Sequence, residues 1–286
     1  MNARFGPAGS SNSFLQQKKH TSIDAPQWLH ENGLNALEIQ FGRGVSMGET
    51  TAKTLGERAK KFGVQLSVHS PYYISLSSFN EESLEKNLRY IRQSAQAAAW
   101  MCAQRVVVHA GSVPKGLERT AALEKSYETL VAALGMLDEL ALDTITLCIE
   151  TMGKVNQLGT LSEVLELCKR LPRLQPCVDF GHIYARQQGV IDYNECLNEI
   201  EAAIGLEKAQ QLHVHFAKME YSKGGEVRHL TFENDEFGPD FASLAAIFAQ
   251  RGYTPTIICE SAGTQAEDAK AMRDMYMHEC STSETI

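Results

Sequence analysis

The chain has 286 residues, of which 43% are hydrophobic and 22% are charged, so it can bury a large core and lacks the composition of a disordered protein. Its formal net charge of −8 does not favour a nucleic-acid partner, because such proteins usually present a basic face. No apolar run approaches the roughly 18 residues that span a bilayer, and residues 1–13 lack the apolar core of a signal peptide. We therefore expect a cytoplasmic protein with no membrane partner.

Short apolar segments alternate with helical segments along the whole chain. The predicted strands are residues 4–7, 36–39, 65–69, 105–109, 144–150, 176–179, 211–215 and 256–260. The predicted helices are residues 26–32, 50–62, 80–104, 116–140, 160–169, 192–204, 240–251 and 266–278. Eight such units predict a parallel α/β sheet and fit a closed (β/α)8 TIM barrel best. We expect a single domain over residues 1–286, with a flexible tail at residues 279–286.

The seven cysteines are odd in number and form no Cys-x-x-Cys pair. Several lie inside apolar runs, as in Leu147-Cys148-Ile149. This pattern predicts buried free thiols in a reducing compartment rather than a cysteine-based zinc site.

Ionisable side chains stand on or just after most of the predicted strand ends. In a TIM barrel these ends form the rim that carries the active site. Six of the nine histidines fall there. The candidate rim residues are His69, His109, Glu150, Asp179, His182, His213, His215, Glu226, His229 and Glu260.

Each of these residues alone has a plain structural explanation, since Asp and His commonly hydrogen-bond in the turns that follow strands. Several carboxylates and imidazoles in one cleft, however, shift each other's pKa values strongly, and bound cations offset the repulsion. Mixed imidazole and carboxylate ligands suit zinc, manganese or iron. One such ion takes about four to six ligands, so this number of candidates predicts two or three ions. Clustered ions of this kind are typical of phosphate-ester hydrolysis.

The strand ends also carry recognisable short motifs. They are Val68-His69-Ser70-Pro71-Tyr72, Val108-His109-Ala110-Gly111, Ile149-Glu150-Thr151-Met152-Gly153, Val178-Asp179-Phe180-Gly181-His182, His213-Val214-His215-Phe216-Ala217-Lys218, Arg228-His229 and Cys259-Glu260-Ser261. In kind and order they resemble the motifs of the endonuclease IV family of apurinic/apyrimidinic endonucleases, within the xylose-isomerase-like TIM barrel superfamily. The resemblance covers nearly the whole chain.

The resemblance implies two or three bound Zn²⁺ ions, with Mn²⁺ as an alternative at one site. The implied ligand sets are Glu150, Asp179, His213 and Glu260 for one ion; His69, His109 and a bridging Glu150 for a second; and His182 and His229 for a third.

The implied activity is that of a zinc-dependent, deoxyribonuclease IV-like hydrolase in base excision repair. Such an enzyme cleaves the phosphodiester bond 5′ of an abasic site in DNA, using a hydroxide activated by two or three metal ions. Glu150 would be the catalytic residue that positions or activates this hydroxide. The expected partner is abasic duplex DNA, bound by a monomer. Tyr72 matches a position near the DNA, and Arg43 is a candidate contact, although a solvated loop arginine explains Arg43 equally well.

The chain departs from the family at the third site. The usual Asp-Arg-His motif is replaced by Val227-Arg228-His229, and the neighbouring Glu226 is the candidate substitute. Two other functions stay open. A single-metal sugar isomerase or epimerase on the same barrel would not need His69 and His109 as ligands. A metal-dependent binding or sensing protein would keep the barrel without the nuclease activity.

Overall fold

The computed structural model describes residues 3–17 and 21–283, and eight parallel strands in this part of the chain form a TIM barrel. The barrel strands are β1 (Arg4–Pro7), β2 (Ala36–Gln40), β3 (Gln65–His69), β4 (Arg105–His109), β5 (Thr146–Glu150), β6 (Gln175–Asp179), β7 (His213–Phe216) and β10 (Thr256–Cys259). They are hydrogen-bonded in the order β1, β10, β7, β6, β5, β4, β3, β2. The predicted single-domain (β/α)8 barrel is confirmed.

Helices surround the barrel and fill the connections. In the described residues they are α1 (Asn12–Leu15), α2 (Ala25–Glu31), α3 (Glu49–Phe62), α4 (Glu81–Trp100), α5 (Arg119–Glu139), α6 (Leu161–Arg170), α7 (Phe180–Arg186), α8 (Tyr193–Ile204), α9 (Leu206–Ala209), α10 (Phe241–Gln250) and α11 (Gln265–Ser283), with a 3-10 turn at Ser22–Asp24. The last helix thus includes residues 279–283, and residues 284–286 lie outside the described part, so the flexible tail at residues 279–286 stays a prediction. None of the described helices combines the length and the apolar character needed to cross a membrane.

One antiparallel hairpin was not predicted from the sequence. Strands β8 (Lys218–Ser222) and β9 (Gly225–Leu230) follow β7 and pair with each other. The hairpin stands at the rim beside the loop after β5, because Lys154 forms an isolated bridge with Gly225. It therefore brings the residues of β9 to the carboxyl ends of the barrel strands.

The ring is completed between β1 and β2. The amide of Gly9 donates to the carbonyl of Glu38 at 2.9 Å, and the amide of Asn35 donates to the carbonyl of Phe5 at 3.1 Å. A Cβ atom on Gly6 would lie 1.7 Å from the carbonyl oxygen of Ala36, so only glycine permits this approach of the two backbones. This contact joins β1 and β2, the two ends of the strand order, into one ring.

Candidate metal centre

Five ionisable residues end neighbouring strands or lie near their ends on one rim of the barrel. His109 is in register with Glu150, and Asp179 is in register with His215. His69 ends β3, the next strand in the ring. Because parallel strands present their carboxyl ends on one rim, these side chains from neighbouring strands meet there.

Glu150 is the centre of the cluster. Its Oε2 atom lies 3.1 Å from Nε2 of His69 and 3.1 Å from Nε2 of His109. Its Oε1 atom lies 3.1 Å from Nδ1 of His215. The side chain is almost completely buried. Imidazoles on both oxygens therefore hold the carboxylate in one orientation.

Backbone carbonyl oxygens fix the orientation of the His69 and His109 imidazoles. Nδ1 of His69 lies 2.8 Å from the carbonyl oxygen of Ser70, and Nδ1 of His109 lies 3.1 Å from that of Tyr72. A carbonyl only accepts, so both Nδ1 atoms carry the proton and both Nε2 atoms face Glu150. Histidines that bind metals almost always donate their other ring nitrogen in this way.

A second group contains Glu150, Asp179, His215 and Glu260, each offering one ligand atom within 4.8 Å of the others. Oδ1 of Asp179 accepts from the amide of His182 at 2.7 Å and caps helix α7. Its Oδ2 atom is buried without a hydrogen-bond partner. A buried carboxylate oxygen without a donor is costly, and a cation at this group would satisfy it.

A third group lies between α7 and the hairpin. Nε2 of His182 lies 3.5 Å from Nε2 of His229 and 3.5 Å from Oε2 of Glu226, while its Nδ1 faces the carbonyl oxygen of Thr151 at 2.9 Å. Asp179 also offers an oxygen to this group. Glu226 thus brings a carboxylate close to His182, whereas the side chain of Val227 is exposed.

The spacing of these atoms fits metal ligands. Two ligands of one tetrahedral zinc ion, each about 2.0–2.1 Å from it, are roughly 3.4 Å apart. The distances of 3.5 Å within the third group and of 3.5 Å between Nδ1 of His215 and Oε1 of Glu260 agree with this value. The residues present therefore fit bound zinc-like ions.

His213 does not join this centre. It is in register with Cys177, two residues deeper than the level of Asp179 and His215. Two residues of strand correspond to roughly 7 Å. Its Nε2 atom lies 2.7 Å from Oε2 of Glu38, a direct hydrogen bond rather than a metal-ligand spacing. The structure therefore places His215 rather than the predicted His213 next to Glu150, and His213 joins a separate group with Cys177 and His215.

Burial and pairing act in opposite directions on the ionisable groups. Burial raises the pKa of Glu150, but hydrogen bonds from the imidazoles, that of His109 foremost, hold this pKa well below its usual range. Burial lowers the pKa of His69, yet its hydrogen bond with Glu150 raises it to about 9. Burial also lowers the pKa of His182, but the negative charges of Asp179 and Glu226 beside it raise this pKa to about 9. Without metal, protons on imidazoles balance the carboxylates; metal binding displaces such protons.

The loop after β5 is held in place by arginine. Arg186 donates to the carbonyl oxygens of four residues of this loop, at 2.9–3.0 Å. Arg119 donates to two of the same carbonyls and pairs with Glu163. The loop packs against the third group, because a Cβ on Gly153 would lie 2.6 Å from Cβ of Glu226. Neither arginine was identified from the sequence.

The two residues expected to contact a substrate lie on exposed parts of the rim. Tyr72 is 61% exposed and follows His69 by three residues. Arg43 is exposed in the loop after β2, and its carbonyl oxygen accepts from the hydroxyl of Tyr73 at 2.9 Å. The hydrogen bond places this loop beside the aromatic residues.

The fold and site define a TIM barrel with a candidate metal centre at the carboxyl-terminal rim of its strands. The chain belongs to the xylose isomerase-like TIM barrel family, whose model matches residues 26–277. An uncharacterized protein of Methanocaldococcus jannaschii is 34% identical over 261 residues, which cover 90% of this chain and 91% of that protein. A protein of Staphylococcus carnosus named "Probable endonuclease 4" is 26% identical over 271 residues, covering 91% and 83% of the two chains.

Two solved structures are similar in fold. A D-tagatose 3-epimerase-like protein has a TM-score of 0.73 at 20% identity, and endonuclease IV from Thermus thermophilus has a TM-score of 0.66 at 20% identity. Each covers 98% of this chain and 99% of its own. At this identity the likeness shows the fold alone, so the choice between hydrolase and epimerase depends on the site.

Proposed function

We propose that this chain is a metal-dependent phosphodiesterase that cleaves the DNA backbone on the 5′ side of abasic sites. The observation that carries the proposal is the pair His69 and His109, which both direct Nε2 at the same oxygen of Glu150. Since His215 lies at the other oxygen, Glu150 would contribute to holding two ions. A bridging carboxylate with separate imidazoles on each side suits phosphate-ester hydrolysis by clustered metals.

The residues that would hold the ions form three sets. They are His69, His109 and Glu150; Glu150, Asp179, His215 and Glu260; and Asp179, His182, His229 and Glu226. Imidazole and carboxylate donors favour zinc, with manganese as the alternative at one set.

When bound, such ions stabilise the charge on phosphate oxygens and lower the pKa of a water molecule. The chain contributes a fixed carboxylate next to them. Glu150 stays ionised because its pKa is held well below its usual range, although burial alone would raise it. Its orientation is fixed on both oxygens, so it is suited to position an attacking water, whereas its lowered pKa makes it a weak proton acceptor.

The rim beside the centre offers surfaces for nucleobases. Tyr72 and Phe79 are large and exposed, and Tyr73 lies between them in the chain. Together with Lys86, Tyr73 and Phe79 line a groove of about 480 Å³. Aromatic side chains stack on unpaired bases, so the loops after β2 and β3, including Arg43, are the proposed contacts to abasic duplex DNA.

A duplex with one tetrahydrofuran abasic analogue tests the proposal. The zinc-loaded protein should nick this duplex on the 5′ side, leaving a 3′-hydroxyl, and should leave an intact duplex uncut. The variant His109→Ala removes a candidate ligand and should lose nicking. His278→Ala is its matched control, because His278 is exposed on α11. Absence of nicking by protein that carries its full metal complement would contradict the proposal.

One observation favours a second function, a single-metal sugar epimerase. The set Glu150, Asp179, His215 and Glu260 is complete for one ion, and two of its three carboxylates could serve as acid and base. A ketohexose panel with the same protein preparation separates the two functions. Epimerisation that survives loss of His109, without any nicking, would favour the epimerase.

A further inference from the structure

A carboxylate lies directly beneath the candidate metal centre and was not identified from the sequence. Glu38 is on β2 and is completely buried. Its Oε2 atom accepts from the hydroxyl of Ser67 at 2.9 Å and from Nε2 of His213 at 2.7 Å. Its Oε1 atom accepts from Nε2 of Gln40 at 3.1 Å and lies 3.0 Å from Nε2 of His215. The carboxylate thus reaches from one side of the barrel to the imidazoles on β7.

The ring of His215 lies between Glu38 and the centre. On one side, Nδ1 lies 3.1 Å from Oε1 of Glu150 and 3.5 Å from Oε1 of Glu260. On the other side, Nε2 lies 3.0 Å from Oε1 of Glu38, although the contact is off the ideal hydrogen-bond direction, and the thiol of Cys177 also lies beside the ring. The fully buried ring therefore has one nitrogen for the centre and one for Glu38.

We infer that Glu38 is a positioning residue of the metal centre, which accepts the Nε2–H of His215 and thereby commits Nδ1 to the metal. The inference rests on the metal centre of the proposed function, but not on DNA as the substrate. A carboxylate behind a histidine ligand fixes the tautomer and the ring orientation, and it makes the imidazole a stronger donor.

The two oxygens of Glu38 have different partners, which distinguishes a positioning role from a purely structural one. The bonds of Ser67 and His213 to Oε2 hold the side chain in the barrel, whereas the contact of Oε1 with His215 faces the centre. If Glu38 only filled the core, a neutral acceptor would serve as well, because a buried carboxylate carries a large desolvation penalty. Its negative charge close to the centre gives a reason for a carboxylate here, since it favours a divalent cation.

Chelator competition with Zn²⁺ measures the effect. In Glu38→Gln we expect one ion to bind about 10- to 100-fold more weakly, the range seen when such supporting partners are lost. The other ions should keep their affinities. Ser67→Ala is the matched control, because it removes a bond to Oε2 and leaves the contact between Oε1 and His215; its affinities should stay within about twofold of wild type. Wild-type affinities in a folded Glu38→Gln protein would overturn the inference.

A measurement on the wild-type protein covers the case that Glu38→Gln does not fold. In ¹⁵N-labelled, zinc-loaded protein, the imidazole of His215 should carry its proton on Nε2 and bind metal through Nδ1. A proton on Nδ1 would refute the positioning role. These tests are independent of substrate. Failure to nick abasic DNA with the affinity difference intact would refute only the nuclease, whereas failure of the wild-type protein to bind zinc would refute the centre and the role of Glu38 together.

Discussion

The variant His109→Ala distinguishes a nuclease with two or three metal ions from an epimerase with a single ion. The side chain makes two polar contacts, one to Oε2 of Glu150 at 3.1 Å and one to the carbonyl oxygen of Tyr72 at 3.1 Å. It is partly exposed at the rim, with 15% of its side-chain surface accessible. The change His109→Ala therefore removes a ligand without opening a closed cavity in the core.

The expected cost in stability is small. Each hydrogen bond contributes about 1 kcal/mol net, so the free energy of unfolding should fall by about 2 kcal/mol. For a chain of this size the melting temperature should drop by no more than about 8 °C. The effect on metal should be larger, because a lost ligand weakens binding by at least the roughly 10- to 100-fold seen for supporting residues.

The assay combines metal content after gel filtration with nicking of the abasic duplex. His109→Ala should lose one ion and most of its nicking activity, whereas His278→Ala should lose neither. Full metal content and wild-type nicking in His109→Ala would refute the assignment of His109 as a ligand, and with it the two-ion interpretation of Glu150.

The remaining predictions concern the third group and the loop after β5. Glu226→Gln should weaken one ion by at least about tenfold in chelator competition, since the carboxylate lies 3.5 Å from Nε2 of His182; an unchanged affinity would exclude Glu226 as a ligand. Arg186→Lys should lower the free energy of unfolding by about 2–4 kcal/mol in denaturant titrations, because a lysine cannot donate to four carbonyls in the fixed geometry of a guanidinium; an unchanged midpoint would contradict this. Burial raises the pKa of Glu163, but hydrogen bonds from Arg119 and from backbone amides lower this pKa by more than burial raises it. The stability difference between wild type and Glu163→Gln should therefore be complete above about pH 5 and shrink as the pH falls through the lowered pKa, and a difference that grows in acid would contradict the sign.

Most of the barrel could be predicted because its strands are short, apolar and regularly spaced. β3 and β4 lie where they were predicted, at residues 65–69 and 105–109. Helix α6 begins with a capping box formed by Thr160 and Glu163, a local signal that the sequence carries. The hairpin of β8 and β9 was missed, because its strands lie on the rim and mix polar with apolar residues.

The error at β7 has a geometric cause. His213 and His215 are two residues apart, so both point to the same face of the strand, and alternation cannot distinguish them. The two histidines differ only in their distance from the rim. This distance follows from the register with β6, in which His215 pairs with Asp179 and His213 with Cys177. The predicted strand at residues 211–215 began two residues before the observed one at His213–Phe216, which obscured which histidine ends at the rim.

Glu38 was missed for a related reason. A single Glu in an apolar strand predicts a solvated position unless the barrel interior is known to place partners around it. The sequence feature that could have indicated a buried functional carboxylate was Glu38 itself, a charged residue between the apolar Leu37 and Ile39. Its partners come from β3 and β7, and His213 on the second of these lies 175 residues away in the chain.

The number of metal ions bound per chain tests the central claim most directly. Glu150 has imidazoles from different strands on its two oxygens, and ligand sets extend on both sides of it. Elemental analysis of the purified protein, combined with a protein concentration from quantitative amino-acid analysis, should give two or three zinc-like ions per chain. A stoichiometry of one, unchanged in the presence of excess Zn²⁺ and unaffected by His109→Ala, would contradict the bridging role of Glu150.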